Sequence, residues 1–127
     1  MNALVIDTSS WISILAGGAP EAVQRALRAG RVVLPPVVAA ELLSGKMPPR
    51  RRTELRQALR GLVPFPADLA HWFRVGDLRA DLAARGVTVS VPDAHVAQCA
   101  LDLDAQLMTE DRIFALVARH APLRVAG

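Results

Sequence analysis

The chain has 127 residues, 52% of them hydrophobic, enough to bury a core without disulfide staples. Cys99, the only cysteine, excludes an internal disulfide, and no apolar run approaches the roughly 20 residues of a membrane span. The net charge is +3 and Lys46 is the only lysine, so almost every positive charge is an arginine. Arginine grips phosphate bidentately, but that composition alone is weak evidence for a nucleic-acid partner.

Taken in order, Ala3-Leu4-Val5-Ile6 is a short unbroken apolar run, the pattern of a strand buried on both faces. Asp7 ends it, and Thr8-Ser9-Ser10 followed by Trp11, Ile12, Ile14 and Leu15 starts a helix. Gly17-Gly18 break that helix. A second helix runs from Pro20 and Glu21 to near Gly30. Arg31–Leu34 reads as a strand, stopped by Pro35-Pro36, and Val37–Ser44 as a helix closed by Gly45. A basic helix follows from Arg50 to about Leu62. Val63–Pro66 is extended, and its prolines restrict it to a sheet edge.

The longest helical stretch, Ala67–Arg85, carries Leu69, Trp72, Phe73, Leu78 and Leu82 as its expected apolar face, with Gly76 marking a kink or close helix crossing. Val87–Val91 is extended, and Pro92 suits the first turn of a helix through Val96, Ala97, Ala100, Leu101 and Leu103. Gln106–Thr109 is a further strand. Ile113–Val117 is a short helix, and Pro122–Val125 the last strand. Strands alternating with helices predict a three-layer α/β/α fold around a mostly parallel sheet of four to five short strands. No linker or repeat divides the chain, so residues 1–127 read as one domain. With no signal peptide at the start, the expected location is the cytoplasm.

Four acids stand apart because of their neighbours. Asp7 ends the first strand. Glu41 lies in the otherwise apolar run Val37–Leu43, on a helix expected to be mostly buried. Asp93 falls in the first turn of its helix, and Asp111 follows the strand at Thr109 by two residues. Singly, Asp7, Asp93 and Asp111 suit helix N-termini, where a carboxylate gains about 0.3–1 kcal/mol. Glu41 calls for an arginine partner or a cation. In a parallel sheet, however, strand-to-helix junctions collect at one edge, where ligands bind. The acids converge there and raise one another's pKa unless a cation relieves them. Oxygen donors without His or Cys favour Mg²⁺ or Mn²⁺ over zinc, and such a site suits phosphodiester hydrolysis.

The order Val5-Ile6-Asp7-Thr8-Ser9, Glu41 in a helix after prolines, Asp93-Ala94-His95-Val96-Ala97, and Leu107-Met108-Thr109-Glu110-Asp111-Arg112-Ile113-Phe114 resembles a PIN-domain ribonuclease. The small size resembles in particular the VapC toxins of type II toxin–antitoxin modules. That resemblance covers essentially the whole chain. It implies a metal-dependent endoribonuclease in which Asp7, Glu41, Asp93 and Asp111 hold one or two Mg²⁺ or Mn²⁺ ions. It also implies that Ser9 and Thr109 orient carboxylates or water. Homodimerisation and inhibition by a small antitoxin are further expectations. Glu110 beside Asp111 leaves the fourth ligand ambiguous; Asp111 fits the pattern T-x-D. His95 occupies a place where the family often has an apolar residue, and a solvated helix face is its expected environment.

Arg50, Arg51, Arg52, Arg56 and Arg60 form the strongest charge cluster, offset only by Glu54. They suit a solvated helix face, an RNA grip or a contact surface for an acidic antitoxin; Lys46 and Arg112 are further candidate phosphate contacts. With the four candidate ligands set aside, eight acids face fifteen bases, the sign an RNA substrate requires. Asp77 and Asp81 should pair with Arg74, Arg79 and Arg85, Asp102 should be solvated, Cys99 should be inert packing, and His71 lacks a metal-ligand partner at useful spacing. A haloacid-dehalogenase-type phosphatase needs a second Asp where Ser9 stands, and a response-regulator receiver needs a lysine after a late strand. The remaining alternatives are a non-catalytic RNA- or partner-binding module on the same fold, or a housekeeping nuclease.

Overall fold

A computed structural model describes residues 2–126. Five short strands form one sheet: β1 (Leu4–Ile6), β2 (Val32–Leu34), β3 (Val63–Pro64), β4 (Gln106–Met108) and β5 (Arg124–Ala126). All neighbouring strands pair in parallel, in the order β3-β2-β1-β4-β5. Seven helices connect them: α1 (Thr8–Gly17), α2 (Glu21–Arg28), α3 (Pro36–Leu43), α4 (Pro49–Arg60), α5 (Leu69–Ala84), α6 (Val91–Leu103) and α7 (Ile113–Ala118). The predicted strands and helices are all present, with ends moved by a few residues. The three-layer α/β/α arrangement is the expected one.

The sheet order sets the position of the site. The chain leaves β1 in one direction to build β2 and β3, then returns to β4 and builds β5 on the other side. Because parallel crossovers are right-handed, that reversal sends the two sets of helices to opposite faces. The reversal lies between β1 and β4, whose carboxyl ends flank a crevice. Val5 pairs in register with Leu107 and Ile6 with Met108, so Asp7 and Thr109 emerge side by side. β1 and β2 are buried along their whole length, which is why their sequences are unbroken apolar runs. β3, two exposed residues ending in Pro64, is an edge strand, as its proline requires.

The core is led by the fully buried Ile6, Leu82, Leu107, Phe114, Val5 and Val96. Each contributes about 1.5–3 kcal/mol relative to exposure. Two expectations for α5 are corrected. Its buried stripe is His71, Val75 and Leu82 with Leu78 half-buried, whereas Leu69 is 67% and Phe73 64% exposed. The reason is that His71 finds polar partners on α6 and so takes a core position that apolar counting assigns elsewhere. Gly76 does not mark a close crossing: α5 runs through it, and nothing lies within 4 Å of where its Cβ would be. The helix stops at Arg85, and Gly86, at φ +82°, makes the left-handed turn out of it.

Candidate active site

The four acids arrive at the β1/β4 crevice from four elements. Asp7 is the residue between β1 and α1 and is 5% exposed. Its side chain does not cap α1. Instead its Oδ2 accepts two hydroxyl hydrogen bonds, from Ser9 Oγ at 3.1 Å and from Thr109 Oγ1 at 3.0 Å. Each hydroxyl in turn accepts from the loop after β4, Ser9 from the Glu110 N–H and Thr109 from the Asp111 N–H, both at 3.0 Å. The two hydroxyls thus fasten the ends of β1 and β4 together around one carboxylate oxygen. Among the described residues no protein donor reaches Oδ1.

Glu41 lies on α3, whose inner face is Val38 and Leu42. The expectation of burial is corrected: Glu41 is exposed, and its Oε1 accepts a 2.7 Å hydrogen bond from Thr8 Oγ1 rather than an arginine. Sequence reading missed Thr8, because a contact across 33 residues leaves no local signal beyond its place next to Asp7. Asp93 is in the first turn of α6, but the cap there is Ser90, whose Oγ accepts from the Asp93 N–H. The Asp93 carboxylate is therefore free of capping duty. Asp111 does take part in capping, since its Oδ1 accepts from the Ile113 N–H at the start of α7. Glu110 contributes its backbone N–H and keeps its side chain exposed.

The electrostatics tie these positions together. Burial pushes the Asp93 carboxyl above its ordinary value, a hydrogen bond from Ser90 pulls it back in part, and the charges of Asp111, Asp7 and Glu41 push it up again. Among the described residues none of the four forms an ion pair with a basic side chain. Like charges gathered without a counter-charge are unfavourable, and a divalent cation is the ligand that removes the conflict. The donor set is oxygen only, with one Asp7 oxygen unclaimed, so the residues fit a hard cation such as Mg²⁺ or Mn²⁺.

Residues 4–120 match the family model of the PIN domain. The chain belongs to the PIN-domain family. Two curated relatives, Ribonuclease VapC11 of Mycobacterium tuberculosis and VapC ribonuclease Mb1587 of Mycobacterium bovis, are each 32% identical over 131 aligned residues. The alignment covers 98% of this PIN domain's chain and 98% of each relative. Two solved structures share the fold. One is DNA-bound VapBC from Salmonella typhimurium, with a TM-score of 0.78 at 21% identity over 99% of this chain and 98% of that one. The other is VapBC-5 from Mycobacterium tuberculosis, with a TM-score of 0.73 at 24% identity over 98% of each chain.

The basic candidates around this PIN domain's acids separate into two kinds. Lys46, Arg50, Arg51 and Arg112 are exposed. Arg50 makes a surface pair with Glu54 at 3.3 Å, worth about 0–1 kcal/mol, and stays available. Arg51 lines a groove with Ile12, Leu15, Leu42 and Leu55. Arg52 differs: its guanidinium donates to the carbonyls of Leu43 and Gly45, satisfying the end of α3 and tying α4 to it.

A second polar cluster, in the seam between α5 and α6, escaped sequence reading. His95 is not solvated but fully buried, and so is His71. Asp102 is exposed as a residue, as expected, but its side chain is only 15% exposed and accepts from Arg74, His71 and Gln98. Arg74 therefore serves Asp102, and of the acids on α5 only Asp81 forms an ion pair among the described residues, with Arg85. Burial works against the Asp102 charge, but its three donors lower its pKa to about 2. Burial, and then the neighbouring His71, lower His95 to about 4. Burial pushes the Cys99 thiol up. The available signal was the spacing of His95, Cys99 and Asp102 on one stripe of α6.

Proposed function

We propose that this PIN domain is a divalent-metal-dependent endoribonuclease, the toxin of a VapC-type toxin–antitoxin pair. Asp7, Glu41, Asp93 and Asp111 would hold one or two Mg²⁺ or Mn²⁺ ions. The observation that carries the reading is that Asp93 feels the charges of Asp111, Asp7 and Glu41 at the switch point of a parallel sheet, while none of the four forms an ion pair with a basic side chain among the described residues. The chemistry such an ion supplies when bound is a more acidic water and charge stabilisation on the phosphate.

The chain's own residues do the positioning. Ser9 and Thr109 hold Asp7 Oδ2, so the other oxygen keeps a fixed aim. Thr8 fixes Glu41 across the crevice from α1. Ser90 starts α6 in the register that presents Asp93. Lys46, Arg50, Arg51 and Arg112 supply exposed positive charge for an RNA backbone; Arg52, held by carbonyls, supports α4 instead. Names of the relatives as VapC ribonucleases, and of the structural neighbours as VapBC complexes, support a cognate small antitoxin as partner and RNA as substrate. We read residues 1–127 as one nuclease domain, acting in the cytoplasm as a homodimer. Among the described residues no helix is long and apolar enough to cross a membrane.

The test uses Asp7→Asn and Asp93→Asn. Each should abolish Mg²⁺-dependent cleavage of single-stranded RNA. In chelator, Asp93→Asn should melt no lower than the parent, because it removes a repelled charge. Cleavage undiminished in both variants would overturn the assignment and favour a non-catalytic binding module.

A further inference from the structure

We propose that the imidazoles of His71 and His95 and the thiolate of Cys99 form a second metal site of this chain. It would lie in the α5–α6 seam and take an ion of the zinc class. It is chemically distinct from the carboxylate site and independent of the nuclease reading.

The geometry carries the proposal. One donor atom from each residue can be chosen so that all three lie within 4.8 Å of one another, and all three residues are fully buried. His71 Nε2 is 2.8 Å from His95 Nδ1, and Cys99 Sγ is 3.9 Å from both. Ligand atoms around a tetrahedral zinc stand about 3.3–3.6 Å apart, so the separations differ from those of one ion by about half an ångström. Because Sγ also lies 3.7 Å from His95 Nε2, binding through Nδ1 also requires the His95 ring and the thiol to re-aim. His95 and Cys99 are four apart and share a face of α6. Asp93, two residues before His95, does not share that face, so the two sites use different sides of one helix.

The surroundings add a second observation. Asp102 Oδ2 lies 2.8 Å from His71 Nδ1, with Arg74 and Gln98 donating to the same carboxylate. A carboxylate on the far nitrogen fixes the His71 tautomer with its proton on Nδ1 and frees Nε2 to bind. Trp72 stacks on His95 at 4.4 Å and Phe65 lies 4.7 Å from His71, walling the group off. Two imidazoles and a thiolate select zinc, or cobalt in its place, over magnesium. Binding exchanges the Cys99 thiol proton for the ion and pins α5 to the helix that carries Asp93.

Cobalt reports the thiolate directly. The metal-stripped full chain is titrated with Co²⁺ under excess Mg²⁺, which occupies the carboxylates. A thiolate-to-cobalt charge-transfer band should grow to one equivalent, Zn²⁺ should displace it, and Zn²⁺ should raise the melting temperature. Asp7→Asn should keep the band. Cys99→Ala should lose it and weaken Zn²⁺ binding more than about tenfold, with Mg²⁺-dependent cleavage retained. A parent protein without the band, or Cys99→Ala with undiminished Zn²⁺ affinity, overturns the proposal and leaves a hydrogen-bonded core cluster. Should Cys99→Ala fail to fold, the spectrum of the parent decides.

Discussion

Thr109 shows how much of the site depends on one hydroxyl. Its Oγ1 gives its proton to Asp7 and takes one from the Asp111 N–H, so it joins two acids that arrive from different strands. Thr109→Val keeps the shape and removes both bonds. We expect a loss of about 1–3 kcal/mol in urea unfolding, because buried partners go unsatisfied. RNA cleavage should fall about 10- to 100-fold, the effect of misorienting a ligand. Thr109→Ser should restore most of both, and a cleavage rate unchanged in the valine variant would show that the hydroxyl does not orient Asp7. At this scale the sequence is informative where chemistry is local. Asp7 and Asp111 are legible as acids at strand-to-helix junctions and Asp93 as an acid in the first turn of a helix, although the extended segment before α6 is not a strand of the sheet; T-x-D singles out Thr109. Glu41 is legible as an odd charge in an apolar run, but its exposure is not, since a short helix one face deep looks much like a buried one. Thr8 carries no sign of its bond to Glu41, which exists only once α1 and α3 are packed.

Elements are legible to the extent that their period matches their burial. β1 and β2 are fully buried and read as such; β3 is marked as an edge by its proline. α5 fails the test for a physical reason: its seam with α6 is partly polar. His71 and His95 are satisfied by each other and by Asp102, so they occupy core positions that hydropathy assigns to solvent, and the helix appears rotated. Leu69 and Phe73 are left exposed, a patch of the kind that marks association surfaces. Gly76 is the remaining local conflict in α5. It is exposed, helical, and has open space where a Cβ would stand. Gly76→Ala should therefore stabilise the chain by about 0.5–1 kcal/mol through the restricted unfolded state alone. Thermal and urea unfolding check this. A destabilised variant would mean that α5 is more tightly covered at that point than its surroundings indicate.

The whole molecule divides its charge unevenly. The acids of the crevice form a negative centre, while α4 presents a run of arginines beyond the end of α3. With a divalent ion bound, as proposed, the crevice would lose much of its negative field, and the excess of basic side chains would then act on a phosphate backbone. The contributions of the arginines are separable. Arg50, Arg56 and Arg60 are exposed, whereas Arg52 is held by Leu43 and Gly45 carbonyls. Replacing Arg50, Arg56 and Arg60 together with Ala should weaken binding of catalytically dead Asp7→Asn protein to single-stranded RNA. The slope of log K against log salt should become shallower by about 0.7 for each phosphate that is no longer neutralised. Arg52→Ala should leave that slope alone and lower the melting temperature instead, since it uncovers the carboxyl end of α3. Filter binding across a salt series, paired with thermal melts, separates the two effects. An unchanged slope in the triple variant would make the basic face of α4 a solvated surface and place the RNA path along Lys46 and Arg112. The two outcomes differ in which side of the crevice the RNA approaches, and so in which loops choose the cleaved sequence.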